Sequence, residues 1–156
     1  NNLKISNEHF ATECLVGFFS EKWRQTNIRK KGVKVLVTTL PGEPYNLGAL
    51  MSAAVTSITD STVIYLGIDT PIEEIVTISK TYKPKIVALS ISHAMGINFS
   101  EDCLFKLRND INNETLIITG GKGSPCNIRG VSNILDFNNY YNFLIKFKAL
   151  VSKDKF

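Results

Sequence analysis

VKVLVTTLPGEPYNLGALMSAAVTSI, Val33 to Ile58, changes period halfway along. Val33, Lys34, Val35, Leu36 and Val37 form a short, largely β-branched run, whereas Leu47, Leu50, Met51, Ala54 and Ile58 recur at helical spacing. The stretch therefore predicts a strand, a loop and a helix. A strand that is apolar on both faces belongs in a parallel sheet covered on both sides. Between the two elements, Pro41 to Gly48 concentrates Pro-Gly, Glu-Pro and Gly, the chemistry of a shaped loop.

The same unit recurs downstream. Val63 to Leu66 is a second strand. A helix follows it, announced by Thr70-Pro71-Ile72-Glu73, with Thr as cap, Pro at the first helical position and Glu closing a capping box. Ile86 to Ser90 is a third strand, followed after Ser100 by a helix carrying Leu104, Leu107 and Ile111 inward. Leu116 to Ile118 is a fourth, ended by Gly120-Gly121. A weaker strand falls around Ile134-Leu135, before a last helix with Tyr140, Phe143, Leu144, Phe147, Leu150 and Val151 on one stripe. The pattern predicts an α/β fold with a five-stranded doubly wound parallel sheet, flavodoxin-like or Rossmann-like. In the flavodoxin-like order the loops after strands one and three flank the crevice at the carboxyl edge. Pro41 to Gly48 and Ser90 to Asn98 then face each other, joined by Gly120 to Cys126.

Residues 1–28 stand outside this repeat. Ile5 to Trp23 reads as a helix with Phe10, Cys14, Leu15 and Phe18 on one side and His9, Val16 and Trp23 on a second. A helix apolar over so much of its circumference needs more than one partner. The expected division is 1–28, the last helix of a truncated helical cap bundle with a linker, and 29–156, the α/β domain.

The chain has 156 residues and a net charge of +4, enough for one good core and too mild to mark a nucleic-acid surface. Its one basic cluster, Arg29-Lys30-Lys31, reads as a solvated linker, so DNA contact is expected only through a domain absent from this chain. Three cysteines at wide spacing, Cys14, Cys103 and Cys126, form neither a disulfide framework nor a metal pair and suggest a reducing, cytoplasmic setting. No apolar stretch approaches the roughly 18 residues of a membrane span. Self-association is left open.

Several cleft chemistries are excluded by residue type. A phosphoacceptor receiver needs an Asp after the third strand and acidic residues after the first, where Ser90 and Thr38-Thr39 stand. Gly120-Gly121-Lys122-Gly123-Ser124 lacks the spacing of a P-loop or a Rossmann fingerprint. What the combination resembles is the cobalamin-binding domain family. Gly42-Glu43-Pro44-Tyr45-Asn46-Leu47-Gly48 is similar to its Asp/Glu-x-His-x-x-Gly motif, Ser90-Ile91-Ser92 to its Ser-x-Leu, and Gly120-Gly121 to its Gly-Gly. The Pro-Gly-Glu opening and Leu66-Gly67-Ile68-Asp69-Thr70-Pro71 look most like the light- and cobalamin-sensing members of the MerR regulator class. Asn7-Glu8-His9-Phe10 is similar to their Glu-His motif on the capping bundle.

The resemblance implies a cofactor site of Glu8, His9, Glu43, Tyr45, Gly48, Ser90, Ser92, Gly120 and Gly121, with His9 able to ligate the metal from above. Gly120 and Gly121 would leave room for a nucleotide tail, with Ser90 and Ser92 as donors to it. Tyr45 replaces the family's cobalt-ligating His, and a phenol of ordinary pKa about 10 is a poorer cobalt ligand at neutral pH than an imidazole. It is read either as an aromatic lid or as a ligand to a ferric tetrapyrrole. Glu43 alone reads as a solvated loop carboxylate with no partner for acid–base catalysis, and His93 as a solvated loop residue or one approaching the cleft. The expected function is a non-enzymatic sensor or photoreceptor domain binding cobalamin or another tetrapyrrole. The alternatives are a degenerate domain without cofactor that acts in oligomerisation, and a corrinoid carrier of a methyltransferase or mutase.

Overall fold

The computed structural model describes residues 5–27 and 32–153. The Arg29 to Lys31 cluster and the expected boundary after residue 28 lie outside the described residues. A long helix, α1 (Ile5–Asn27), precedes an alternating series: β1 (Lys34–Thr39), α2 (Leu47–Ile58), β2 (Thr62–Tyr65), α3 (Ile72–Tyr82), β3 (Ile86–Ser90), α4 (Ile97–Asp110), β4 (Leu116–Gly120), β5 (Val131–Asn133) and α5 (Phe137–Lys153). The five strands are all parallel in the order β2-β1-β3-β4-β5. This is the flavodoxin-like sheet that the alternation of periods predicts.

Two apolar layers cover the sheet. Leu36, Val87, Leu89 and Ile117 turn towards Ile72, Ile75, Leu104 and Leu107 of α3 and α4. Val35, Val37, Ala88 and Ile118 turn towards Ala49, Ala53, Tyr140 and Leu144 of α2 and α5. Alternate residues of one strand thus serve opposite layers, so the strands are apolar throughout.

Local departures from the sequence reading have clear causes. Pro71, expected as the first helical residue, is instead the N-cap of α3, and no side-chain cap bond forms there. Thr70 is drawn inward: its buried hydroxyl lies 2.7 Å from that of Thr38. On α2 the buried face is Ala49, Leu50, Ala53, Thr56 and Ser57, while Ile58 is exposed, because small residues let the helix lie close to the sheet. The fifth strand is Val131–Asn133, just before the expected Ile134-Leu135, and Leu150 at the end of α5 is exposed.

α1 uses one of its two apolar sides. Val16, Phe19, Trp23 and Asn27 are half-buried, whereas Phe10, Cys14, Leu15 and Phe18 are exposed. The Asn27 side chain bonds both the backbone oxygen and N–H of Val63, at 3.0 and 2.8 Å, and the Trp23 ring lies 5.5 Å from that of Tyr65. Going backwards along α1 therefore means going forwards along β2, towards the carboxyl edge. At about 1.5 Å per residue His9 lies roughly 21 Å further along the axis than Trp23. The N-terminal half of α1 projects past the carboxyl edge of the sheet.

Candidate functional site

The loops expected to meet do meet. Glu43, expected as a solvated carboxylate, is 1% exposed. Its Oε2 accepts from the Ser92 N–H at 2.7 Å and its Oε1 from the Tyr45 N–H at 3.1 Å. One buried side chain thus ties the loop after β1 to the loop after β3 and shapes its own loop as well. A second tie runs sideways: the Gly42 N–H donates to Asp69 Oδ1 at 2.7 Å, and the Asp69 N–H donates to Thr39 Oγ1 at 2.9 Å. The Leu66 to Pro71 stretch therefore supports the edge on the β2 side. Sequence reasoning quoted Asp69 only within a motif and gave it no part in the site.

The loop after β4 closes the third side. The Ile91 N–H donates to the Gly120 oxygen at 2.9 Å, and the Gly123 N–H to the Ile91 oxygen at 3.1 Å. Gly121 has φ +101°, and a Cβ there would collide with the Ile91 carbonyl. Glycine is required for this close backbone approach.

Below that edge, between β3, β4 and the β5–α5 segment, lies a cavity of about 180 Å³. Gly48, Ser90, Gly120 and Gly121 form its inner rim, while Leu135, Phe137 and Tyr140 form its far wall. A Cβ on Gly48 would overlap the Ser90 hydroxyl, and one on Gly120 would lie 2.8 Å from the Ile134 oxygen. Sequence reasoning found the rim but missed Ser52, Leu135, Asp136, Phe137 and Tyr140. The far wall comes from a segment with no motif, and its apolar residues read as ordinary core. Tyr140 is buried and its hydroxyl lies 2.8 Å from that of Thr56. Burial raises its pKa above the ordinary tyrosine value, the Thr56 contact opposing the shift.

On the open side of the edge, Tyr45 is half exposed and lies against His93, with ring centroids 6.1 Å apart and planes 19° from parallel. The Met95 N–H donates to the Ser92 oxygen at 3.2 Å and the Ala94 N–H to Ser92 Oγ at 3.2 Å. This turn holds His93 at its corner. The structure thus gathers Glu43, Tyr45, Gly48, Ser90, Ser92, Gly120 and Gly121 at one edge. Glu8 and His9 are exposed on the projecting half of α1 and make no side-chain bond to that edge among the described residues.

A parallel doubly wound sheet with a cavity at the carboxyl ends of its third and fourth strands, beside the start of α2, defines a nucleotide- or cofactor-binding class. The particular family is that of the B12 binding domain, which matches residues 33–127, and the chain belongs to it. No curated protein matches. Among solved structures the chain is similar to a novel cobalamin-binding protein from Desulfitobacterium hafniense DCB-2, with 21% identity and a TM-score of 0.59. That match covers 75% of this chain and 60% of the other, so the chain spans less than two thirds of that relative. It is also similar to the monomethylamine corrinoid protein of Methanosarcina barkeri, at 13% identity and TM-score 0.70, covering 93% of this chain and 72% of that one. The methanol:cobalamin methyltransferase complex of the same organism aligns at 17% identity and TM-score 0.62, covering 78% and 48%. At these identities the likeness is one of fold.

The residues present fit the tail of a cobalamin. The cavity is mainly apolar, with Ser52, Ser90, Thr119 and Tyr140 among its lining residues, and an apolar cavity of roughly 150 Å³ already admits a benzene ring. Glycines stand where side chains would obstruct the rim. Among the described residues no helix is long and apolar enough to cross a membrane.

Proposed function

We propose that the chain is a corrinoid-binding sensor module, the effector part of a MerR-type regulator, that acts without catalysing a reaction of its own. The reading is carried by the cavity of about 180 Å³ whose rim is Gly48, Ser90, Gly120 and Gly121. The tail of cobalamin would lie in it, the corrin ring over Tyr45 and the Ser92 to Met95 turn, and the projecting half of α1 above the ring. When bound, the group would supply a coloured cobalt centre able to take a further ligand. The sensor assignment is supported by the Pro-Gly-Glu loop, the Gly-x-Asp-Thr-Pro stretch and the Glu8-His9 pair, which resemble those of light- and cobalamin-responsive regulators.

The test is a visible-absorbance titration of the chain with hydroxocobalamin, methylcobalamin and cobinamide, the last lacking the nucleotide tail. Cobalamin is expected to bind at least about tenfold more tightly than cobinamide, a difference of about 1.4 kcal/mol. Equal affinity for the two would remove the tail slot from the account, and unchanged spectra with all three would remove the corrinoid reading.

A further inference from the structure

We propose that His93, on the loop after β3, takes the place of the missing histidine of the β1–α2 loop and supplies the imidazole to the lower face of a bound corrinoid. The inference rests on the corrinoid reading above and adds to it a ligand that no motif assigns. It starts from a substitution and a contact. Tyr45 occupies the position at which the related motif carries its imidazole, and the ring lying against Tyr45 is that of His93, 6.1 Å away and nearly parallel. The imidazole lost from one loop therefore has a counterpart on the loop that faces it.

The surroundings hold that imidazole in place without consuming it. Glu43 fixes the backbone N–H of Ser92, the residue before His93, at 2.7 Å. The same carboxylate fixes the N–H of Tyr45. The two loops that carry the rings are thus anchored, at Tyr45 and at the residue before His93, to one buried side chain. The turn from Ser92 to Met95 places His93 at its corner, where the ring is exposed and neither of its nitrogens bonds to a described residue. An exposed imidazole with unengaged nitrogens at the mouth of a cofactor cleft is available to a metal, and imidazole is a stronger cobalt donor at neutral pH than a phenol. In this arrangement Tyr45 is a positioning residue whose ring backs the imidazole. Because Ser92 and His93 follow directly on the strand end that borders the tail cavity, tail and ligand would be held by one loop.

The chain has two histidines, His9 and His93, so the assignment can be decided. The experiment is electron paramagnetic resonance of the cobalt(II) cobalamin complex. The protein is prepared once with ordinary histidine and once with histidine carrying the spin-one-half nitrogen isotope. A protein imidazole on cobalt gives a nitrogen triplet that becomes a doublet with the labelled protein, and this is the expected result. His93→Ala is expected to abolish the isotope effect, while His9→Ala and Tyr45→Phe retain it. Circular dichroism of the unloaded variants checks their folds. A triplet unaffected by the label means that the cofactor's own base remains on the metal and overturns the proposal, as does a doublet lost in His9→Ala and kept in His93→Ala. Those outcomes leave cobalamin binding itself intact. No complex in the absorbance titration overturns the corrinoid reading and this ligand with it.

Discussion

The carboxylate of Glu43 is buried and accepts the backbone N–H of Ser92 across the cleft at 2.7 Å. The bond joins the loop after β1 to the loop after β3, two adjacent strands whose connections run to opposite faces of the sheet. It is where the crevice of a doubly wound sheet is pinned. Removing the side chain leaves the N–H groups of Ser92 and Tyr45 without their acceptor, at the position where the buried Glu43 carboxylate stood. Each unsatisfied buried donor costs about 1–3 kcal/mol. Glu43→Ala is therefore expected to lower stability by about 2–5 kcal/mol, and Glu43→Gln by less, since an amide oxygen replaces one acceptor. Urea denaturation checks this, and a loss under about 0.5 kcal/mol for Glu43→Ala would show that the pin is not structural.

Gly48 and Ser90 are coupled sterically. A Cβ on Gly48 collides with the Ser90 hydroxyl but lies an ordinary 3.4 Å from the Ser90 Cβ. Gly48→Ala alone is expected to cost about 1–3 kcal/mol, as overpacking does. Ser90→Ala is expected to be nearly neutral in stability, because the hydroxyl has no intramolecular bond among the described residues. In the double variant the clash is gone and alanine gains up to about 1 kcal/mol over glycine in the first turn of α2. A double-mutant cycle should show a favourable coupling of about 1 kcal/mol or more. Additive single effects would contradict the close approach. All three variants should weaken cobalamin more than cobinamide, since they alter the tail slot and leave the open side untouched.

Two positive-φ glycines separate backbone strain from collision. Gly42 has φ +80° with open space where a Cβ would go, whereas Gly121 has φ +101° with the Ile91 carbonyl in that space. Gly42→Ala is expected to cost about 1–2 kcal/mol, the penalty of a left-handed conformation. Gly121→Ala should cost at least about 1 kcal/mol more, because neither backbone can yield without breaking the Gly123 to Ile91 bond. Equal losses in thermal denaturation would count against the close contact.

The sequence carried the sheet because burial on both faces writes itself as unbroken apolar runs at β1, β3 and β4. It carried the rim of the site because glycines and turn residues have few other reasons to sit together. The burial of Glu43 was not legible, for the Ser92 N–H that donates to it lies 49 residues away and one sequence position says nothing about burial. The far wall, Leu135 to Tyr140, was illegible for the opposite reason: its apolar residues look the same whether they fill a core or line a cavity. The contact between Tyr45 and His93 needed the register of two loops, which strand patterns do not specify. For α1 the two apolar sides were legible, but not which one would carry Trp23 against Tyr65.

Tyr140 gives the slot a pH signature. Burial raises its pKa above the ordinary value of about 10, with the Thr56 hydroxyl opposing the shift. Tyr65 is raised in the same direction by burial, Arg24 offsetting part of it. In the folded chain these phenols keep protons that the unfolded chain has released. The unfolded state then binds fewer protons, and stability falls as pH rises. The contribution is fully present below about pH 10 and is lost as pH climbs through the raised folded-state values. Tyr140→Phe removes one of these titrations and also the bond to Thr56, a loss of about 0.5–1.5 kcal/mol at neutral pH. The variant should therefore be the less stable protein at neutral pH. Above about pH 10 the gap should close by about 1.4 kcal/mol for each further pH unit. Urea midpoints measured from about pH 8 to about pH 11 check this. A constant gap across that range would mean that the Tyr140 hydroxyl reaches solvent in the folded protein, and that the far wall of the slot is open.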